Sequence, residues 1–318
     1  MNKAFVLGAG LGKRLRPLTG QLPKPLIPVF HRPLISYAFD HLIHAGVGEF
    51  VVNTHHLPHA YAEAFPEGSY GDRPITFREE TPILLETAGG IANVRDLLGT
   101  APFFVYNGDI LTDLPLEPLL EKHRRQGNLV TLALRSHGPA LHIALDRASG
   151  RITDIHNILG TGHPGEFLFT GVYLCEPEFH QWLTPGKVES VIPIFLEMIR
   201  QGAPLGGAVI DGGQWWDLGN RASYLEAHRA IAESFERFPN HANGTRLPSA
   251  IHPEATVSDA ASLRGLNVIG PGAVVNPGAS LEDCLVWPGA RVDESARLKD
   301  CIVRSGVTAS GEHSGVDL

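Results

Sequence analysis

An aliphatic residue returns at every sixth position through the C-terminal part of the chain. The repeat begins at Ile251, slips by one residue near Trp287, and resumes at Val292 and Leu298. Alanine stands two positions before four of these residues, and Pro-Gly-Ala occurs three times in the same stretch. A disordered Pro/Gly-rich tail would not keep such spacing. The period predicts a parallel β-helix in which each side takes one hexapeptide and turns its aliphatic residue inward. The residues spaced six apart are Ile251, Val257, Leu263, Ile269, Val275 and Leu281.

Before this repeat, short β-like runs alternate with amphipathic stretches. The runs at 4–7, 50–52, 103–106 and 129–134 predict strands. Helical spacing of apolar residues predicts a helix over 34–45 that stops at Gly46. It predicts another over about 115–126 that stops at Gly127. This alternation predicts an α/β fold with a mixed, mostly parallel sheet and helices on both faces. In such sheets, ligands bind at the carboxyl ends of the strands.

A chain of 318 residues fits two domains better than one. We predict an α/β domain over residues 1–235 and a β-helix domain over residues 250–318. Residues 236–249 lose the apolar periodicity and are predicted to form the linker between them.

The balance of acidic and basic residues limits the kinds of molecule that the protein is expected to bind. The chain carries 26 basic and 34 acidic side chains, a net charge of −8, which argues against a general nucleic-acid binder. Its three cysteines, Cys175, Cys284 and Cys301, are far apart and cannot build a disulfide framework, which favours a reducing compartment. The apolar run near Met1 is too short for a signal-peptide core, and no run approaches a membrane span. We therefore expect a cytoplasmic protein that binds neither nucleic acid nor membrane.

A glycine-rich, basic segment follows the first predicted strand. Glycines let backbone N–H groups approach phosphate oxygens, while Lys13, Arg14 and Arg16 add positive charge. The segment is not a P-loop or a dinucleotide loop, because Arg14 replaces the P-loop hydroxyl and Lys13 replaces the third glycine of the dinucleotide loop. A few residues later, Lys24 stands between two prolines, in a stiff setting suited to holding a phosphate. The glycine-rich segment reads Leu7-Gly8-Ala9-Gly10-Leu11-Gly12-Lys13-Arg14-Leu15-Arg16-Pro17-Leu18-Thr19.

Two further segments complete a family pattern. Tyr106-Asn107-Gly108-Asp109 directly follows a predicted strand, and Trp215-Trp216-Asp217-Leu218-Gly219-Asn220 lies far downstream. Together with G-x-G-x-R-L-x-P-L-T and Pro-Lys-Pro-Leu, they resemble the sugar-1-phosphate nucleotidyltransferase family over nearly all of residues 3–230. The resemblance implies a Rossmann-like catalytic domain, and a C-terminal left-handed β-helix has precedent in that family.

The resemblance also implies a reaction and a set of roles. A sugar-1-phosphate oxygen attacks the α-phosphorus of a nucleoside triphosphate in line, and pyrophosphate leaves; Mg²⁺ is the expected cofactor. Asp109 and Asp217 would hold the metal, since carboxylates suit this hard cation. Arg14, Lys24 and Asp109 would be catalytic, and Lys24, Asn107 and Gly171 would bind the sugar phosphate. The expected nucleotide-binding residues are Leu7, Gly8, Ala9, Gly10, Gly12, Lys13, Arg14, Glu80, Thr87 and Gly108.

The base and the sugar stay open at this point. Residues 79–91 resemble the family's base-recognition loop, which continues into a helix predicted over about 88–98. Glu86 stands where many family members have glycine, and Gly-His-Pro-Gly-Glu at 162–166 replaces the usual Glu-Lys-Pro. Both features resemble N-acetylmuramate-1-phosphate uridylyltransferases, whereas the β-helix is typical of mannose- and glucose-type members. UTP and GTP are therefore the two expected nucleotides.

Three alternatives accompany this reading. One is a non-catalytic regulatory paralogue that binds a nucleotide sugar, and another is a bifunctional enzyme whose tail transfers acyl groups. His252 and His313 are the only histidines in that tail, which is short for an acyltransferase. We expect the tail to mediate homo-oligomer formation or effector control instead. The third is a metal site at His55, His56 and His59; substrate contact or plain surface is the other reading of these histidines.

Overall fold

The structure is a computed structural model that describes residues 2–234, 238–244 and 248–318. Its first part contains short and long strands interleaved with helices. The strands are β1 (Lys3–Leu7), β2 (Pro28–Val29), β3 (Arg32–Pro33), β4 (Glu49–Thr54), β5 (Ser69–Tyr70), β6 (Arg73–Glu79), β7 (Phe103–Asn107), β8 (Ile110–Thr112), β9 (Val130–Arg135), β10 (Ile143–Asp146), β11 (Arg151–Ile155), β12 (Leu168–Cys175), β13 (Leu205–Val209) and β14 (Trp215–Asp217). The helices are α1 (Leu34–His44), α2 (His59–Ala64), α3 (Glu86–Asn93), α4 (Arg95–Leu98), α5 (Glu117–Gln126), α6 (Val191–Arg200) and α7 (Arg221–Ser234).

Ten of these strands form one sheet, in the order β10-β11-β13-β9-β12-β7-β1-β4-β6-β5. β6, β4, β1 and β7 are parallel to one another, and β9 is parallel to β13. β12 runs antiparallel to both of its neighbours. The prediction of a mixed, mostly parallel sheet is therefore confirmed.

Alternate residues of the central strands point to opposite faces of the sheet. In β1, Ala4 and Val6 pack with α1, α2 and α5 in one apolar cluster. Phe5 packs with α3 and α6 in a second cluster. The predicted placement of helices on both faces is also confirmed.

The helix ends follow local sequence signals in two cases and depart from them in a third. Helix α1 ends just before Gly46, which has a φ of +87°, and α5 ends at Gly127 in the left-handed conformation. The single helix predicted over 88–98 is wrong, because the chain forms α3 and α4 with Val94 between them. Two glycines, an asparagine and a β-branched valine give this segment little helix propensity.

The C-terminal strands form three parallel sheets that are the three sides of a β-helix, as predicted: β15-β18-β21-β24, β16-β19-β22-β25 and β17-β20-β23. They are β15 (Thr256–Val257), β16 (Ser262–Arg264), β17 (Val268–Ile269), β18 (Val274–Val275), β19 (Ser280–Glu282), β20 (Leu285–Val286), β21 (Arg291–Val292), β22 (Arg297–Lys299), β23 (Ile302–Val303), β24 (Thr308–Ala309) and β25 (Glu312–Ser314).

The register locates the slip in the repeat. Leu263 pairs with Leu281, three hexapeptides further along, whereas Ile269 pairs with Val286, one residue short of that spacing. The missing residue therefore belongs to the corner between β19 and β20, just before Trp287.

The repeated aliphatic residues pack together inside the coil: Val257 and Leu263 are partly buried, and those from Ile269 onward are buried. Ile269, Val275 and Leu281 are buried, while Ile251 is 39 % exposed. Its register partner is the inward-pointing Ile269, so Ile251 faces the same side of the coil, as predicted. It lies on the first coil and bridges Ile269 on one side only, so the stacking that buries later coils is incomplete there.

One side of the β-helix packs against the α/β part. Outward-facing Val268, Leu285 and Ile302 belong to strands β17, β20 and β23, and all three are buried. They lie in one apolar cluster with residues from the glycine-rich segment and α7, which we call the docking cluster. Its members include Leu15, Leu18, Ile27, Val29, Phe30, Tyr37, Tyr224, Leu225, Ile231, Val268, Leu285, Trp287 and Ile302.

Part of the predicted linker is packed rather than extended. Phe238 and His241 are buried, with ring centroids 5.9 and 6.3 Å from that of Tyr37 on α1. Residues 236–237 and 245–247 of the predicted linker lie outside the described residues. None of the helices that the structure describes is long and apolar enough to span a membrane.

Candidate active site

The glycine-rich segment forms one wall of a cleft at the carboxyl ends of β1, β4 and β7. The cleft has a cavity volume of about 280 Å³ and lies where ligands bind in parallel sheets, at the carboxyl ends of the strands. Its lining residues are Leu7, Ala9, Gly10, Gly12, Lys13, Arg14, Lys24, Pro25, Asn53, Leu84, Glu86, Thr87, Asn107, Asp109 and Gly219.

The start of the glycine-rich segment is fixed by buried partners. The Gly8 N–H donates to Asn53 Oδ1 at 2.8 Å, and the Tyr61 hydroxyl donates to the Gly8 carbonyl at 2.8 Å. A Cβ at Gly8 would lie 2.6 Å from the Asn53 carbonyl oxygen, so only glycine fits. Burial, and to a lesser extent Asp109, raises the pKa of the Tyr61 hydroxyl, which therefore stays a hydrogen-bond donor.

A small antiparallel ribbon brings two distant carboxylates together. Strand β14 pairs with β8, and Asp217 stands opposite Ile110, the residue after Asp109. Lys24 Nζ lies 2.8 Å from Asp109 Oδ2 and 3.1 Å from Asp217 Oδ1. Arg14 Nη2 lies 3.9 Å from Asp217 Oδ2. The four charged residues singled out in the sequence thus meet at one end of the cleft.

The two carboxylates are a donor set that fits Mg²⁺. Their side chains are 40 % and 42 % exposed, so both are open to solvent, whereas the Lys24 side chain is only 7 % exposed. In the part of the chain that the structure describes, no three His, Cys, Asp or Glu residues cluster as a complete metal site. This is compatible with Mg²⁺, which uses one or two protein carboxylates and takes further oxygens from phosphate and water.

The predicted base loop is anchored by Glu80. This side chain is buried, and its carboxylate accepts from Asn53 Nδ2 at 2.7 Å and from the Leu85 N–H at 2.8 Å. Asn53 in turn holds Gly8, so one chain of hydrogen bonds joins the base loop to the glycine-rich segment. Glu80 therefore lies behind the cleft, where its carboxylate holds the base loop and Asn53 together.

Beyond Glu80, the loop turns sharply into α3. Glu86 lines the cleft with a φ of +63°, a conformation that is uncommon for a residue with a side chain. Thr87 Oγ1 accepts the Val191 N–H at 2.7 Å, and the Glu189 carbonyl accepts the Ala88 N–H at 2.9 Å. The segment before α6 therefore clamps the base loop in place.

Gly171, one of the residues expected to bind the sugar phosphate, is crowded by Asn107. Gly171 has a φ of +85°, and a Cβ on it would lie 2.6 Å from Asn107 Nδ2. The glycine thus makes room for the Asn107 side chain.

A profile of the nucleotidyl transferase family matches residues 3–234. The chain belongs to this family. Among similar proteins, N-acetylmuramate α-1-phosphate uridylyltransferase from Neisseria meningitidis serogroup B is 33 % identical over 239 residues, which cover 74 % of this chain and 100 % of that protein. Mannose-1-phosphate guanylyltransferase from Mycobacterium tuberculosis is 29 % identical over 292 residues, covering 89 % of this chain and 79 % of that protein. The solved inositol-1-phosphate CTP transferase from T. maritima shares the fold, with a TM-score of 0.62 at 18 % identity, over 73 % of this chain and 96 % of that one.

In this nucleotidyltransferase, most of the residues expected to bind the nucleotide lie together. Gly8 and Gly108 lie behind the residues that line the cleft. The Gly108 N–H donates to the Leu7 carbonyl at 3.0 Å. Those that line the cleft are Leu7, Ala9, Gly10, Gly12, Lys13, Arg14 and Thr87. Of the residues expected on the sugar-phosphate side, Lys24 and Asn107 line the cleft as well.

Sequence reasoning missed Asn53, Pro25, Leu84 and Gly219 as lining residues of the nucleotidyltransferase cleft. Asn53 could have been found, because it lies at the end of a strand beside β1. Gly219 could not, since its place depends on the pairing of β14 with β8.

The histidine cluster near α2 does not form a metal site. His55 Nδ1 lies 2.7 Å from the Glu80 carbonyl, His56 Nε2 lies 2.6 Å from the Thr19 carbonyl, and His59 is exposed. The first two histidines support the walls of the cleft separately. The alternative of a three-histidine metal ligand set therefore has no support in this geometry.

Proposed function

We propose that this nucleotidyltransferase joins a sugar-1-phosphate to a nucleoside monophosphate taken from a triphosphate, and releases pyrophosphate. The observation that carries the proposal is the contact of Lys24 with both Asp109 and Asp217 beside the glycine-rich wall. A cation and two carboxylates beside a glycine-lined cleft suit phosphoryl chemistry, in which positioning and charge neutralisation do the catalytic work. The two relatives named for mannose-1-phosphate and N-acetylmuramate-1-phosphate support a sugar-1-phosphate as acceptor.

The residues have distinct proposed tasks. Backbone N–H groups of the glycine-rich segment and Arg14 would bind the β- and γ-phosphates and stabilise the departing pyrophosphate. Lys24 would contact the sugar phosphate and the α-phosphate and counter the charge that develops between them. The attacking oxygen would approach the α-phosphorus opposite the pyrophosphate.

Mg²⁺ is the proposed cofactor, held by Asp109 and Asp217. When bound, it would supply Lewis-acid polarisation of the α-phosphate. Lys24 occupies hydrogen-bonding positions on both carboxylates. We therefore propose that its ammonium shifts toward the substrate phosphates when a cation binds.

The nucleotide is proposed to be UTP or GTP, because the two relatives are named for uridylyl and guanylyl transfer. The test is pyrophosphate release with Mg²⁺, across UTP, GTP, dTTP, CTP and ATP against a panel of sugar-1-phosphates. One strong combination names both substrates. Folded protein that binds nucleotide but releases no pyrophosphate with any pair would refute the proposal and favour the regulatory paralogue.

Two further expectations concern the context of the enzyme. We propose a cytoplasmic enzyme, in keeping with three free, buried thiols at Cys175, Cys284 and Cys301.

We also propose a homo-oligomer formed through the β-helix. Since the β17-β20-β23 side packs on the α/β part, the contact would use one of the other two sides. Analytical ultracentrifugation of the full chain tests this, and a monomer at micromolar concentration would refute it.

A further inference from the structure

Helix α7 begins directly after the strand that carries Asp217. Only Leu218, Gly219 and Asn220 separate Asp217 from Arg221, and Leu218 is completely buried. Asn220 caps the helix, since its Oδ1 accepts the Ser223 N–H at 3.0 Å. This short, buried connection gives Asp217 little freedom to move independently of the start of α7.

Arg221 attaches the start of α7 to two coils of the β-helix. Its Nε donates to Asp317 Oδ1 at 2.6 Å, and its Nη2 donates to the Asp300 carbonyl oxygen. The Arg221 and Asp317 side chains are 29 % and 9 % exposed, so the carboxylate end of this ion pair is shielded from water. A guanidinium that donates to two fixed oxygens sets orientation as well as distance.

The opposite half of the cleft rests on the same face of the β-helix. Leu15 and Leu18, which follow Arg14 in the chain, belong to the docking cluster with Trp287. Gln21 Nε2 donates to the Ser305 carbonyl at 2.8 Å. The β-helix is therefore a common support for the glycine-rich segment and for the start of α7.

The two halves touch where Gly219 meets Arg14. A Cβ on Gly219 would lie 2.7 Å from Arg14 Nη2, so the Arg14 guanidinium lies directly against the backbone of Gly219. Any shift of the α7 start relative to the glycine-rich segment would change the distances from Asp217 to Arg14 and Lys24.

We propose that Arg221 is a positioning residue, which uses the β-helix as a fixed support to hold Asp217 against Lys24 and Arg14. The inference rests on the proposed function of the cleft, and it gives the β-helix a part in the geometry of the reaction. Misplacement by about 1 Å can cost a factor of about a hundred in rate.

The test compares Arg221→Met with Arg229→Met. Arg229 lies two turns further along α7 and also binds the β-helix, through Asp300 Oδ1, but no short connection links it to the cleft. We expect Arg221→Met to lower kcat by roughly tenfold to a hundredfold, with a smaller change in the KM for nucleotide. Arg229→Met should stay within about twofold of the parent, in line with the small contribution of a partly exposed ion pair.

Mn²⁺ binding measured by titration calorimetry gives a readout that does not depend on turnover. Arg221→Met should weaken Mn²⁺ binding to the full chain, while Arg229→Met should not. Asp317→Asn should reproduce the loss from the other side of the pair. Arg221→Lys should recover part of the rate, because an ammonium can still pair with Asp317.

Equal effects of Arg221→Met and Arg229→Met on kcat and Mn²⁺ binding would overturn the inference, since both would then act only through stability. An Asp317→Asn variant with parental kcat would overturn it too. If the parent releases no pyrophosphate with any substrate pair, the proposed function fails. The Mn²⁺ titrations would then still decide whether Arg221 positions Asp217.

Discussion

His180 offers a quantitative test of how burial controls the stability of this enzyme in acid. The residue lies in the 3₁₀ turn Pro177–Trp182, is 4 % exposed, and stacks on Phe103 with ring centroids 5.4 Å apart. Among the described residues, neither ring nitrogen has a hydrogen-bond partner. Burial, with a smaller contribution from Arg95, lowers the pKa of His180 from 6.5 to about 4.

The sign of the effect follows from proton binding. Between pH 6.5 and 4 the unfolded chain protonates this histidine and the folded chain does not, so the free energy of unfolding falls as the pH falls. From pH 7 to pH 5.5 the loss for one such histidine is about 1 kcal/mol. His41, His123, His228 and His241 are buried as well, and burial lowers the pKa of each. The free energy of unfolding should therefore fall more steeply with decreasing pH than one histidine accounts for.

His180→Phe removes the titrating group and keeps a flat ring on Phe103. We expect its free energy of unfolding to match the parent at pH 8 and to exceed the parent's by about 1 kcal/mol at pH 5.5. Urea denaturation at a series of pH values measures this. His180→Leu guards against poor packing of the larger ring, and His59→Gln, at an exposed position on α2, is the matched control. A difference in unfolding free energy between the parent and His180→Phe that is the same at every pH would refute the argument.

Three further predictions follow from the cleft and its support. Asp109→Asn should lower the rate of pyrophosphate release by several orders of magnitude while the thermal midpoint stays close to the parent's; near-normal turnover would rule out the metal role. Gly171→Ala places a Cβ 2.6 Å from Asn107 Nδ2 at a φ of +85°. It should raise the KM for the sugar phosphate at least severalfold with little effect on the KM for nucleotide, and equal changes in both would contradict the assignment of this side of the cleft. Ile302→Ala removes a completely buried side chain from the docking cluster and should cost about 2–5 kcal/mol of unfolding free energy in urea. A cost below 1 kcal/mol would mean that the cluster is loosely packed.

The sequence was most informative where short-range patterns decide the structure. Helix α1 ends where Gly46 stops the apolar period, and the coils of the β-helix follow the six-residue repeat. Much of the cleft was also predictable, because the glycine-rich segment and Asp109 each follow a strand of a parallel sheet.

Pairing between distant segments could not be predicted in this way. The three-residue strands β8 and β14 carry no pattern strong enough to identify each other, yet their ribbon sets the distance between Asp109 and Asp217. Likewise, the sequence names Glu80 without revealing that Asn53 and the Leu85 N–H occupy its carboxylate.

The sequence also carries a signal for the docked side of the β-helix. On the docked side of the β-helix, apolar residues come in adjacent pairs, Val268-Ile269, Leu285-Val286 and Ile302-Val303, rather than singly. The first member of each pair points outward into the docking cluster and the second points inward. Val274-Val275 is a single such pair on the β15-β18-β21-β24 side, so it is the recurrence of adjacent pairs on successive coils that indicates the covered side.

The docking cluster also has a consequence for synthesis on the ribosome. The α/β part emerges first, and Leu15, Leu18 and Tyr224 cannot reach Trp287 or Ile302 until nearly the whole chain has left the exit tunnel. During that interval, an apolar surface that is buried in the folded protein is exposed to water. Such surfaces recruit chaperones or aggregate. A ribosome that stalls while the coils are being made would therefore hold a nascent chain with an open hydrophobic face beside its catalytic cleft.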